Sequence, residues 1–131
     1  EFKIIIDKYL KPKVKLFALF DNCHSGTILD LPYQYIATDE FKTHNSTDTK
    51  GEVICLSGCK DNQVSMDAYI KGTFNGAMTW ALTEVLSSKE KMSWDSCLLK
   101  LRNKLKQRGF KQLPQLTCGT KLDFANKNFD I

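Results

Sequence analysis

Glycine and proline are scarce in this sequence, with 7 and 3 residues of 131. That excludes a collagen-like chain and a linker-like one. No apolar run approaches the roughly 18 residues that a membrane-spanning helix needs. Net charge is only +4, from 19 basic and 15 acidic residues. Such a small excess is by itself a poor argument for nucleic-acid binding. Histidine is limited to His24 and His44. No basic stretch leads into an apolar segment with a small-residue cleavage site, so no secretory signal is expected.

What is present suits one folded domain, or part of one. Hydrophobic residues make up 42% and charged residues 26%, the balance of a packed core under a solvated surface. Cysteine occurs five times, at Cys23, Cys55, Cys59, Cys97 and Cys118. The Cys55–Cys59 spacing has no second Cys or His pair beside it, so a tetrahedral zinc site is not expected. The number is odd and the chain is not a small loop-rich one, which argues for reduced thiols inside the cell, in the cytoplasm. Cys55, Cys97 and Cys118 read as small core residues.

Hydrophobic periodicity sets out the elements. Phe2, Ile5, Ile6 and Tyr9 recur at i, i+3, i+4 and i+7, a helix over 2–10 that Lys11-Pro12 ends. Val14 to Phe20 is a short apolar run, expected as a strand buried on both faces of a sheet. Residues 38–51 are polar and aperiodic, and are expected to be an exposed loop. Val53 to Leu56 reads as a second buried strand. An apolar helix follows over 75–87, then another from about Ser93, its N-cap, to Arg108, with Gly109 as its stop. Trp94, Leu98, Leu101 and Leu105 form its apolar stripe. The cluster of Lys100, Arg102, Lys104, Lys106 and Arg108 is expected to face water, not nucleic acid. Pro114 to Cys118 reads as a last strand. Long crossovers between buried strands predict an α/β fold, with a mainly parallel sheet covered by helices on both faces.

Both central strands stop at polar, glycine-bearing segments: Asp21-Asn22-Cys23-His24-Ser25-Gly26 and Ser57-Gly58-Cys59-Lys60-Asp61-Asn62-Gln63. Ligands bind at that edge of open α/β sheets. Cys23 stands just past a buried strand, where a partly exposed thiolate can serve as a nucleophile. The alternative is an inert small residue in a turn.

The segment from Asp21 through Gly26 to Thr27-Ile28-Leu29-Asp30-Leu31-Pro32-Tyr33 closely resembles the catalytic-cysteine region of the metacaspases, caspase-like cysteine peptidases. Ser57 to Gln63 with Ser65 and Asp67, then Gly76-Ala77-Met78-Thr79 and Pro114-Gln115-Leu116, are similar to further landmarks of that family in the same order. The resemblance covers nearly the whole chain and points to a type I metacaspase from just before the catalytic cysteine onward. It implies a caspase-like three-layer α/β/α sandwich, of which residues 1–131 are a C-terminal portion. Residues 1–37 would end the large-subunit-like part, 38–51 would be the exposed loop, and 52–131 the small-subunit-like part.

The resemblance also implies peptide-bond hydrolysis by a Cys-His dyad with Cys23 as nucleophile. Substrates would be peptides or proteins with Arg or Lys before the scissile bond, and Asp21 would line the pocket for that side chain. A carboxylate two residues before the nucleophile shares its side of an extended strand and suits a guanidinium or ammonium. Its plainer role would be to cap a backbone amide. Asp61 and Asp67 are weaker pocket candidates, with turn and capping roles as alternatives. Asp30 falls where the family has one ligand of a calcium site, so Ca2+ is the expected cofactor; a turn role is its alternative. The family is generally monomeric, and neither nucleic acid nor a membrane is an expected partner of this chain.

The base is the gap. His24 follows Cys23 directly, and neighbours on extended backbone point to opposite faces. His44 matches no family base. In metacaspases the base comes from an upstream segment with a His-Gly pair, which this sequence does not contain. That segment is therefore an expected partner. Without it, the chain would be an inactive caspase-like interaction module, and a redox sensor using Cys23 is a third reading. Lys42 and Lys50 are candidate points of self-cleavage.

Overall fold

A computed structural model describes residues 2–21, 28–37, 40–58, 67–70, 73–110 and 113–129. Helix α1 (Phe2–Tyr9) leads into β1 (Lys15–Phe20). Strands β2 (Tyr33–Ala37), β3 (Glu40–Thr43) and β4 (Glu52–Ser57) follow, then the hairpin of β5 (Asp67–Ile70) and β6 (Thr73–Gly76). Helices α2 (Ala77–Ser87) and α3 (Trp94–Gln107) precede β7 (Gln115–Cys118). The main sheet has the order β1-β4-β7-β2-β3. One correction follows. The sheet is mixed: β1 and β4 are parallel, whereas β7 runs antiparallel to both β4 and β2, and β3 antiparallel to β2.

The layers are those expected. Ile54, Leu56, Leu116 and Tyr35 of the sheet pack with Met78, Ala81 and Val85 of α2 and Leu98, Leu101 and Leu105 of α3. On the opposite face Ile6 of α1 joins Val53, Cys55, Leu29 and Leu31. Alternation along β4 sends Val53 and Cys55 one way and Ile54 and Leu56 the other. The hydroxyl of Tyr35 donates to Asp95 at 2.6 Å, tying β2 to the start of α3.

Helix α3 ends and begins as its sequence dictates. Ser93 accepts from the N–H of Ser96. At the other end Gly109 adopts φ 80°, its N–H donates to Lys106 O, and that of Phe110 to Leu105 O. This paired closure satisfies carbonyls that the helix leaves open, and glycine takes the left-handed turn without strain.

Three further expectations are revised. Residues 40–43 form β3 inside the segment read as a loop. Strand β1 is only half-buried, with Leu19 exposed, because it pairs on one side with β4 and, among the described residues, on the other with nothing. In α1 most of the apolar stripe faces outward: Phe2, Ile5 and Tyr9 are exposed, Ile6 packs inward, and Lys3 is buried. The Lys3 ammonium binds Asp7 and both oxygens of Thr47, clamping the helix onto residues 44–50.

Candidate active site

The C-terminal ends of β1 and β4 lie side by side. Their register runs from Lys15 opposite Glu52 to Phe20 opposite Ser57, and Gly58 N–H extends the ladder to Phe20 O at 2.8 Å. Asp21 is the next residue after Phe20. Its side chain crosses to the start of α2, where one oxygen, Oδ2, accepts both the Thr79 N–H at 2.9 Å and the Thr79 hydroxyl at 2.7 Å. The N-cap of α2 is Gly76, which has no side chain to cap with. Asp21 supplies that cap from 58 residues away. A negative charge also suits the positive end of a helix.

The other oxygen, Oδ1, is buried and, among the described residues, has no hydrogen-bond partner. A carboxylate offers about four lone-pair positions, and Thr79 engages only the Oδ2 side. A Cβ on Gly76 would sit 1.9 Å from Oδ2, so only glycine leaves room for the carboxylate there. The capping role foreseen as the plain alternative for Asp21 is therefore present, and it leaves one acceptor open. Sequence reasoning singled out Gly76 and Thr79 only as landmarks. Their partnership with Asp21 had no local signal.

Cys23, His24, Cys59 and Asp61 lie outside the described residues, and Asp67 is in β5. The other three cysteines are poor nucleophiles. Burial pushes the Cys55 thiol up to about 12, against a hydrogen bond with Thr117 that pulls it down. Burial likewise raises Cys118 to about 12 and Cys97 to about 11. Thiols so far from ionisation do not supply a thiolate near neutral pH.

His44 lies beyond the end of β3, next to Thr43, which pairs with Tyr33 at the start of β2. That is the opposite edge of the sheet from Asp21. Four strand spacings separate β1 from β3, about 19 Å at ~4.8 Å each. His44 Nε2 meets Gln34 Oε1 at 3.2 Å, and Gln34 bonds Gln115, so it belongs to a structural polar row. Asp30 is exposed in the left-handed region at φ 49°, and its carbonyl accepts from the Ser46 hydroxyl at 2.7 Å. That is a turn geometry Asp tolerates. Among the described residues no cluster of three or more His, Cys, Asp or Glu could hold a metal ion. Calcium needs about 6–8 oxygens, of which Asp30 offers one carboxylate.

The basic helix face is partly engaged. Arg102 is half-buried, donates to Pro114 O at 3.1 Å, and has its pKa lowered by burial. Arg108 lies over the Trp80 ring at 5.0 Å, and Lys100 pairs with Glu90.

A family model described as Caspase domain (Peptidase_C14) matches residues 3–125. The chain is 37% identical over 130 residues to Metacaspase-2 of Trypanosoma brucei brucei, covering 87% of this chain and 38% of that protein. It is 33% identical over 163 residues to Metacaspase-1 of Kluyveromyces lactis, covering 87% of this chain and 37% of that protein. It thus spans well under half the length of these relatives. The crystal structure of protein GSU0716 from Geobacter sulfurreducens superposes with a TM-score of 0.64 at 22% identity, over 95% of this chain and 55% of that one, a likeness of fold.

Proposed function

Because the chain belongs to the caspase-domain family of cysteine peptidases (Peptidase_C14) and is metacaspase-like, we propose that it carries the nucleophile and the specificity acid of an endopeptidase that cleaves after Arg or Lys. The observation that supports this reading is the open, buried Oδ1 of Asp21 at the end of β1, two residues before Cys23. A substrate guanidinium or ammonium brings the donors this oxygen lacks.

In this mechanism the Cys23 thiolate attacks the scissile carbonyl carbon and forms an S–C bond. The backbone N–H of Cys23 donates to the developing oxyanion; such donors are worth about 3–4 kcal/mol in other peptidases. The C–N bond breaks, and the leaving amine takes its proton from a histidine acting as acid. Water then hydrolyses the thioester with the same histidine as base.

That histidine is supplied by a segment of the whole protein outside this chain. The relatives are more than twice as long as the matched region, and among the described residues β1 offers an open sheet edge whose single charge, Lys15, stands at its start, whereas the edge strand β3 carries Glu40 and Lys42 outward. A strand added there would run about 4.8 Å from β1. The whole protein would work as a monomer in the cytoplasm, with calcium as a stimulator that Asp30 helps to bind. Chelation should then lower activity, and Asp30→Asn should raise the calcium needed to restore it.

A second reading, an inactive caspase-like interaction module, draws on the distance of His44, the sole histidine among the described residues. An arginyl chloromethyl ketone separates the two. In the whole protein the Cys23 thiolate should displace its chloride, forming a thioether that mass spectrometry places on Cys23. Absence of that adduct favours the module.

A further inference from the structure

The Asp21 carboxylate is held asymmetrically, and the holder is a single residue. Thr79 binds Oδ2 twice, through its N–H and its hydroxyl, while Oδ1 stays buried and, among the described residues, unpaired. The backbone of Thr79 is fixed, since its neighbours Ala77, Met78 and Ala81 are fully buried in the core. On the other side Gly76 brings its backbone so close that the carboxylate fills the place of a side chain. The terminal torsion of an Asp is otherwise broad and roughly two-fold. Without the hydroxyl, one hydrogen bond in place of two holds the carboxylate, and its plane can tilt about that torsion so that the open oxygen no longer keeps one direction.

From this geometry we propose that Thr79 is the positioning residue of the specificity pocket: its hydroxyl locks Asp21 so that Oδ1 faces an incoming cationic side chain. The proposal rests on the reading that Asp21 receives Arg or Lys. A buried acceptor left without a donor costs free energy, so the locked state favours a substrate that brings one. Thr79 itself stays out of contact with the reacting atoms and acts through Asp21. Gly76 has a matching role, since any larger residue would displace the carboxylate.

The test compares kcat/KM of the whole protein for an Arg-ended peptide and for the same peptide ended in citrulline, its neutral isostere. Thr79→Ala and Thr79→Val should each lower the Arg-to-citrulline ratio about tenfold or more, the range for a hydrogen bond to a charged group. The loss should appear mainly as a higher KM for the Arg peptide. Thr79→Ser, which restores the hydroxyl, should recover the wild-type ratio, and Gly76→Ala should lower it. Thermal unfolding of each variant reports the helix cap separately. A wild-type ratio in both Thr79→Ala and Thr79→Val, with only the melting temperature reduced, overturns the proposal. So does an equal loss in Thr79→Ser. A wild-type protein that hydrolyses the Arg peptide no faster than the citrulline peptide overturns the underlying reading of Asp21 as well.

Discussion

Asp21 and Thr79 stand 58 residues apart in sequence and share two hydrogen bonds on a single carboxylate oxygen, at 2.9 and 2.7 Å. The bond joins the end of β1 to the first turn of α2. It couples a structural duty, capping a helix, to a chemical one, presenting an open acceptor at the sheet edge.

The two duties separate by substitution. Asp21→Ala removes the cap and should cost about 1 kcal/mol of stability. Asp21→Asn keeps an oxygen for Thr79 and should stay close to wild type in urea unfolding, yet lose preference for Arg-ended peptides. Equal destabilisation by both variants, with specificity intact, would show that the cap is the whole role.

Alkaline pH should weaken the fold. Burial raises Cys55 and Cys118 to about 12 and Cys97 to about 11 from an ordinary 9.0. Below pH 9 the thiols are protonated in both states and contribute no pH dependence. Above it the unfolded chain releases protons that the folded chain keeps, so stability falls as pH rises toward the folded values. Each thiol adds a slope of about 1.4 kcal/mol per pH unit. Urea midpoints should drop from about pH 9 upward, toward about pH 11, and the drop should shrink in Cys118→Ala. A flat profile would contradict the burial of these thiols.

Gly109 gives a clean backbone measurement. A Cβ there would meet no atom within 4 Å, so Gly109→Ala should cost only the left-handed strain, about 1–2 kcal/mol. A neutral result in chemical denaturation would mean that the end of α3 relaxes into another closure.

Much of this was legible because some signals are local. Ser93 and Gly109 bound α3 by capping chemistry that needs no tertiary partner. The apolar run 14–20 announces β1, but no local pattern says whether a strand is central or at an edge, and β1 proved half-exposed. The periodicity of α1 correctly gives a helix, yet not what covers its stripe: Ile6 is buried, while Phe2, Ile5 and Tyr9 face out and Lys3 turns in to Thr47. Strand β3, Glu-Phe-Lys-Thr, reads as loop because an edge strand carries charge on its open side. The long crossovers suggested parallel pairing, whereas β7 enters antiparallel between β4 and β2. At the site, Asp21 is reached through the resemblance of the segment around Cys23 to the metacaspases. Thr79 could not be tied to it, since their meeting depends on how α2 lies across the sheet.

The central claim is that Asp21 at the end of β1 and Cys23, two residues on in sequence, serve a thiol peptidase selective for cationic residues. Its most direct test is turnover of an Arg-ended and an Asp-ended fluorogenic peptide by the whole protein, side by side, in wild type and in Cys23→Ala. The account predicts hydrolysis of the Arg peptide alone, abolished in Cys23→Ala. Preference for the Asp peptide, or turnover that survives the loss of the Cys23 sulfur, would contradict it.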